Sequence, residues 1–256
     1  MFTFDRLPFQ LAHLCRLTSP PIRGTVFSLK TIVVFTGSGI SAESGIRTFR
    51  ESGGLWEEYD IMEVATPEAW QRNPALVQRF YNERRKQILY AEPNQAHIAL
   101  AKLQKYHRVI VITQNIDDLH ERAGSEQVIH LHGEITKARS TAYPELVYPI
   151  EGWEIAEGAV CERGFPLRPH IVWFGEQVPM MDIAILQVAK ADIFMVIGTS
   201  LEVYPAANLI HYAPEKAEKY FIDPVAKPLN GISNLNVIAE KAGIALPLLI
   251  EKLSTQ

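Results

Sequence analysis

The sequence predicts an α/β fold: a doubly wound, Rossmann-like parallel sheet with a helical insert and a small second module. Three observations predict it. Short β-branched apolar runs alternate with helical patterns along the chain. The runs are apolar on both faces, as strands covered by helices on both sides must be. The first run, Thr31-Ile32-Val33-Val34-Phe35, leads straight into a glycine turn and a helix start.

That junction, Thr36 to Arg50, reads TGSGISAESGIRTFR. Gly37, Gly39 and Ala42 fit G-x-G-x-x-G/A, which brings a pyrophosphate onto a helix N-terminus. Glycine permits the tight turn and the close backbone approach, and the helix dipole favours negative charge there. Read alone, the loop implies a dinucleotide and also suits a plain strand–turn–helix. Further strands are read at Arg108–Thr113, Val128–Leu131, Ile171–Phe174, Ile193–Ile197 and Tyr220–Ile222. Helices are read at about Pro67–Tyr90, Asn94–Tyr106, Asp182–Ala191 and Ala206–His211, punctuated by Pro67, Pro74 and Pro93.

Two stretches interrupt the alternation. Residues 51 to about 95 form a helical insert before the second core strand. A NAD dehydrogenase places an acid at the end of that strand, ~20 residues beyond the glycines. Here the strand ends in Thr113-Gln114-Asn115, which disfavours ordinary hydride transfer. Residues 134–169, with Pro144, Pro149, Gly152, Gly158 and Gly164, form a small inserted module. The expected organisation is an N-terminal extension over residues 1–25 and one catalytic domain over 26–256. Its core falls at about 26–50, 96–133 and 170–253.

The 256 residues suffice for one large α/β domain, and a hydrophobic content of 47% supports a sizeable core. The net charge of −4 argues against general nucleic-acid binding, which needs clustered Lys and Arg. No apolar run approaches the ~18 residues of a membrane span. Neither nucleic acid nor membrane is expected as a partner, and a monomer is expected. Cys15 and Cys161 stand apart, without a disulfide framework or zinc-ligand spacing. A reducing, cytoplasmic compartment is the simplest expectation. Residues 1–25 carry Arg6, Arg16 and Arg23 against Asp5, followed by Ser19-Pro20-Pro21. They read as a surface helix and linker, as an organellar targeting peptide, or as residues ahead of a start near Val26.

Polar residues cluster where the strands end, which is where open α/β sheets bind ligands. The first strand delivers Gly37 to Ser41, the second Gln114 to Asp118, and the third His130-Leu131-His132-Gly133. Later strands deliver Gly198-Thr199-Ser200 and Asp223. Singly, Asn115 and Asp117 also suit helix caps, His132 a structural histidine, and residues 198–200 a turn. Their joint placement favours a ligand site.

Five segments together resemble the sirtuins, NAD-dependent protein-lysine deacylases. They are TGSGISAESGIRTFR at 36–50, TQNIDDLHERAG at 113–124, HLHGE at 130–134, LRPHIVWFGE at 167–176 and IGTSLEVYPAA at 197–207. The chain is most similar to the bacterial and mitochondrial class that prefers acidic acyl groups. The resemblance implies that NAD serves as an electrophilic co-substrate and that acylated protein lysines are the partners. The acyl oxygen attacks ribose C1′ as nicotinamide leaves, and O-acyl-ADP-ribose is the other product. A general base must activate a ribose hydroxyl. Histidine suits that task, and the motif places the base directly before glycine, at His132 rather than His130. Asn115 and Asp117 match the residues that orient ribose and nicotinamide amide, with Gln114 and Ser41 as neighbours. Phe49 and Arg50 match the mobile cofactor loop. Ser38 stands where alanine is commoner beside the pyrophosphate. Gly198, Thr199 and Ser200 are implied to hold phosphate and ribose oxygens, and Asp223 the adenosine ribose. Val172, Trp173, Phe174, Gly175 and Glu176 match the segment that pairs with substrate backbone.

Tyr81 and Arg84 are three apart, hence on one helix face. A guanidinium pairs bidentately with a carboxylate and a phenol adds a donor. Unaided, Arg79, Arg84, Arg85 and Lys86 read as a solvated basic helix. In the sirtuin context, Tyr-x-x-Arg is the signature of succinyl, malonyl or glutaryl preference, with acetyl removal secondary. Ala65 matches a small residue that leaves room for the longer chain.

The sequence departs from the family in the small module, where most members hold structural zinc on four cysteines. Ser140 stands near the first expected position and Cys161 is the module's one cysteine. No metal is therefore expected. Tyr143, Val147, Tyr148, Ile150, Trp153 and Ile155 are expected to supply an apolar core instead. The competing functions are a mono-ADP-ribosyltransferase or a lipoamide-directed deacylase on the same fold. A NAD sensor is disfavoured by the presence of His132, Asn115 and Asp117.

Overall fold

Apolar runs become the strands of two sheets in the computed structural model, which describes residues 29–48 and 59–255. In chain order the strands are β1 (Thr31–Thr36), β2 (Arg108–Thr113), β3 (Val128–His130), β4 (Gly133–Ser140), β5 (Val147–Pro149), β6 (Leu167–Ile171), β7 (Ile193–Ile197), β8 (Glu218–Ile222) and β9 (Leu235–Ile238). The helices are α1 (Gly39–Ala42), α2 (Ile61–Val64), α3 (Pro67–Arg72), α4 (Pro74–Tyr90), α5 (Gln95–Leu103), α6 (Leu119–Arg122), α7 (Met181–Val188) and α8 (Ala242–Leu253), with a 3-10 helix at Ala206–Tyr212. None of them is long and apolar enough to cross a membrane.

Six parallel strands form the main sheet in the order β3-β2-β1-β7-β8-β9. Ile32 to Phe35 at its centre have no solvent exposure. Burying such side chains contributes ~1.5–3 kcal/mol each, so the central strand is the main apolar anchor. One face packs on α5 and α8, and the other on α7 and the 3-10 helix. The strand order reverses between β1 and β7, the place where doubly wound sheets open a crevice.

The expected long helix from Pro67 is broken in two. Pro74 begins α4, and the Asn73 side chain caps it by accepting the Leu76 N–H at 3.1 Å. Arg84 and Arg85 on α4 are buried rather than solvated. Arg85 donates to the carbonyl of Ile135 at 2.5 Å and of Trp153 at 2.9 Å. Asn82 accepts the Ile155 N–H at 3.0 Å and donates to its carbonyl at 3.1 Å. The insert is thereby tied to the small module.

That module is a three-stranded antiparallel sheet, β5-β4-β6. The run Ile171–Phe174, expected as a core parallel strand, is not one. Ile171 closes β6 and pairs with Gly133, and the residues after it leave the sheet. The expected apolar core is also corrected. Ile155 is buried, but Val147 is 37% and Trp153 38% exposed. Ala138 and Cys161 are buried within the module, Ile135 and Ile171 pack into the apolar cluster of the insert, and Tyr143 lies edge-on to Phe165 at 5.4 Å.

The donor set does not fit a zinc ion. The Cys161 thiol donates to Ser140 Oγ at 3.4 Å, and that oxygen accepts the N–H groups of Ala142 and Tyr143 at 3.3 Å each. Among the described residues no three His, Cys, Asp or Glu side chains gather as a metal site. One thiol and one hydroxyl cannot complete a tetrahedral site. Purified protein is expected to carry no stoichiometric zinc and to keep its melting temperature in a chelator. One zinc per chain by elemental analysis would contradict this.

Gly198 sets the approach of the β1 and β7 loops. Its φ is +61°, and a Cβ there would lie 2.3 Å from the Ile40 nitrogen. Gly198→Ala is expected to cost more than ~2 kcal/mol, combining strained φ with backbone overlap. An unchanged urea midpoint would show that the two loops can separate freely.

Candidate active site

The cleft opens beyond the carboxyl ends of the central strands. Ser38 and Gly39 after β1 line its floor together with Gly198, Thr199 and Ser200 after β7. Backbone contact holds the floor: Gly39 N–H donates to the Gly198 carbonyl at 2.9 Å and Gly37 N–H to that of Ile197 at 3.0 Å. Gly37 and Ala42 lie behind it rather than among the lining residues. A Cβ on Gly37 or Gly39 would come within 2.8 Å of Gly198 or Thr199 atoms, so side chains are excluded here. Thr199 donates to the Gln114 side-chain oxygen at 3.0 Å, joining the floor to the loop after β2. Asp223, after β8, lines the far end. Phe49 and Arg50 lie outside the described residues.

Ser41, Asn115 and Asp117 form a buried triplet. Asn115 Nδ2 donates to Ser41 Oγ, and Ser41 Oγ donates to Asp117 Oδ2, each at 3.0 Å. Asp117 Oδ1 accepts the Leu119 N–H at 3.2 Å, two residues on, just ahead of the α6 N-cap at Asp118. Asn115 lines the cleft, whereas Ser41 and Asp117 stand behind it. Burial raises the Asp117 carboxyl, opposed by its hydrogen bonds to Leu119 and Ser41. A second chain supports the backbone. Thr36 Oγ1 donates to Thr113 Oγ1 at 2.8 Å, which accepts the Asn115 N–H at 3.0 Å. With its proton spent, Thr36 must accept from His120 Nε2, 3.0 Å away. Burial pulls His120 well below its ordinary range, so it is neutral.

The two histidines of the third strand end are distinguished by their partners. His130 Nδ1 meets the Asn115 carbonyl at 3.1 Å and its Nε2 meets Glu121 at 2.7 Å. Both partners accept, so both ring nitrogens carry protons. Burial alone would lower this group, but the Glu121 contact raises it. His132 Nδ1 meets the Gln114 carbonyl at 3.0 Å, so this nitrogen carries the proton and Nε2 a lone pair. Burial pulls His132 below its ordinary range, partly opposed by that hydrogen bond. His132 lines the cleft and His130 does not. Only His132 combines a basic nitrogen with access.

Residues 172–176 and the insert form the opposite wall. Gly133, at φ +82°, brings β4 against β6, since a Cβ would lie 2.1 Å from the His170 carbonyl oxygen. The Val172 N–H then donates to the His132 carbonyl at 2.9 Å, and Phe174 N–H to that of Ala65 at 3.0 Å. Val172, Trp173, Phe174, Gly175, Glu176, Ala65 and Tyr81 line the cleft. Glu176 is held within the protein. Arg168 reaches its two oxygens at 2.7 and 3.1 Å, and Arg139 at 3.1 and 3.2 Å. Burial would raise Glu176, and Arg168 more than offsets this. Arg84 lies behind Tyr81 rather than among the lining residues. Burial pushes Tyr81 up to about 12 and pulls Arg84 down to about 10, while each favours the other's charged form. At neutral pH the phenol keeps its proton and the guanidinium its charge.

Sequence reasoning passed over Thr48, Ile116, Val178, Val203, Tyr204, Pro205 and Val225, which also line the cleft. Val203, Tyr204 and Pro205 sit inside the quoted segment 197–207, so adjacency was the available signal. Val178 carries none.

Residues 37–205 match the sequence profile of the Sir2 family. An NAD-dependent protein deacylase of Bacteroides thetaiotaomicron is 55% identical over 207 residues, 79% of this chain and 88% of the relative. One of Helicobacter pylori (strain J99) is 50% identical over 225 residues, 88% of this chain and 96% of the relative. Among solved structures, a mutant Sir2 homologue in complex with ADP-ribose superposes with a TM-score of 0.82 at 38% identity, covering 88% of this chain and 92% of that one. A Sir2 homologue–NAD complex gives 0.80 at 39% identity, covering 88% and 90%. The glycine floor, the cleft-facing histidine and these similarities agree: the chain belongs to the Sir2 family.

Proposed function

We propose that this NAD-dependent protein-lysine deacylase prefers acidic acyl groups, succinyl and malonyl above all, and removes acetyl as a secondary activity. The observation that carries the preference is the buried pair of Tyr81, on the cleft wall, and Arg84 directly behind it. A neutral phenol and a buried cation give a carboxylate a donor and a counter-charge. An acetyl group offers neither a partner. Ala65 beside them is small, which leaves depth for a longer chain.

NAD is the co-substrate. Its pyrophosphate suits the floor, which is lined by Ser38, Gly39, Gly198, Thr199 and Ser200. Gly39 and Gly198 would hold the backbone close to it, with Asp223 at the adenosine ribose. When bound, NAD supplies a ribose carbon that becomes electrophilic as nicotinamide departs. The chain's own groups do the rest. Asn115, braced by Ser41 and Asp117, would orient the ribose and the amide. His132 Nε2 would take the proton from a ribose hydroxyl, its Nδ1–H fixed on the Gln114 carbonyl. Residues 172–176 would pair with the substrate backbone, leaving the acylated lysine to enter toward His132 and Tyr81.

Mass spectrometry of matched succinyl-lysine and acetyl-lysine peptides, with and without NAD, tests the preference. Faster NAD-dependent succinyl loss is expected, with nicotinamide released only when acyl-lysine is present. Arg84→Met should lower kcat/KM for succinyl by about tenfold or more while leaving acetyl within about threefold, since a charge-assisted pair is lost. Equal falls would make Arg84 structural. Nicotinamide release without acyl-lysine would favour the transferase alternative.

The pH profile tests the base. His132 must be neutral to act, and its pKa lies below the ordinary 6.5. Activity should therefore be flat through neutral pH and fall only on the acid side below about 6.5. A fall that begins above pH 7 would contradict a neutral His132.

A further inference from the structure

Tyr81 has a proton to place. Its hydroxyl accepts the indole N–H of Trp173 at 3.1 Å, and no acceptor for its own proton occurs among the described residues. Yet Tyr81 is only 4% exposed and lines the cleft. A phenolic O–H prefers the ring plane, which leaves it two orientations. A donor seated on one of those in-plane sites confines the proton to the other.

Trp173 is itself held from three sides. Its backbone N–H donates to Glu176 at 2.8 Å. The Arg168 guanidinium stacks on its ring, 3.2 Å from the centroid, and Trp70 packs 5.8 Å away. Arg168 is in turn held by Glu176 and by the Ile171 carbonyl at 2.9 Å. Swinging the indole away from Tyr81 would therefore give up its stacking on a guanidinium that Glu176 and the Ile171 carbonyl hold in place. A continuous line of contacts runs from Glu176 through Arg168 and Trp173 to Tyr81.

We propose that Trp173 is a specificity-determining positioning residue: its indole N–H orients the Tyr81 hydroxyl so that the phenolic proton is presented to the carboxylate of an acidic acyl group. This rests on the acidic-acyl reading and adds to it. Tyr81 and Arg84 alone would give a charge and a freely turning hydroxyl. Trp173 makes the hydroxyl a fixed donor, and it links that donor to the segment that pairs with substrate backbone. An acetyl group, which brings no carboxylate, gains nothing from the arrangement. The selectivity should therefore lie in the ratio of the two substrates and not in the common chemistry.

Trp173→Phe keeps an aromatic ring for Arg168 and deletes the N–H. Steady-state rates on matched succinyl-lysine and acetyl-lysine peptides are the readout. The succinyl-to-acetyl ratio of kcat/KM should fall about tenfold in the variant, the scale of one hydrogen bond to a charged group. In a Tyr81→Phe background the same substitution should change the ratio no further, because the two residues act as one unit. An unchanged ratio, equal losses on both peptides, or independent effects of the two substitutions would each overturn the role of Trp173.

A second measurement needs no Trp173 variant. The indole 1H–15N resonance of Trp173 in the intact enzyme should shift differently on adding the succinyl and the acetyl peptide. That difference should vanish in Tyr81→Phe. Identical shifts with both peptides would overturn the proposal. The parent enzyme alone decides the underlying reading: no succinyl preference there sinks the acidic-acyl assignment and the role of Trp173 with it. A parent preference that survives Trp173→Phe sinks only the latter.

Discussion

The whole cleft depends on two backbone loops touching. The turn after β1 and the turn after β7 approach so closely that Gly39 N–H bonds to the Gly198 carbonyl, and no side chain fits between them. Gly198 N–H is itself bonded to the Ile222 carbonyl of β8. Three parallel strands are thus locked together at their carboxyl ends, at the point where the strand order reverses. The glycines here answer first to each other. Closeness to a phosphate follows, because a floor built of bare backbone is also one that a pyrophosphate can approach.

The second constraint is the junction of Gly133 with β6. It places the His132 carbonyl on the Val172 N–H and so lines up a base-bearing residue with the wall that follows. The Glu176–Arg168–Arg139 cluster then stiffens that wall from within. Two histidines a pleat apart receive opposite treatment. His130 faces a carboxylate and a carbonyl and is held charged, whereas His132 faces one carbonyl and is held neutral. The residue type is the same, and the acceptors around each ring decide its chemistry.

Much of this was legible in the chain. Runs such as Thr31–Phe35 and Ile193–Ile197 are strands because both faces are apolar, and their polar followers mark the strand ends. The run Ile171–Phe174 looks the same in sequence but turns out of a small antiparallel sheet, since apolar content does not report a strand's partner. β9 carries little signal, because Leu235-Asn236-Val237-Ile238 is short and interrupted by a polar residue. α8 is masked in the sequence, because Pro247 inside it reads as a breaker. Tyr81 and Arg84 were legible as a spaced pair, and their burial was not. Arg85 looked like one more solvated cation, yet its partners are carbonyls at Ile135 and Trp153, far along the chain. Long-range backbone partners leave no periodic signature.

The most direct test of the account is a crystal structure of the enzyme with a succinyl-lysine peptide and a non-cleavable NAD analogue. The account predicts the pyrophosphate over Gly39 and Gly198, His132 Nε2 facing the ribose, and the succinyl carboxylate against the Tyr81 hydroxyl on the side of Arg84. A succinyl tail directed away from Tyr81, or a ribose out of reach of His132, would contradict it.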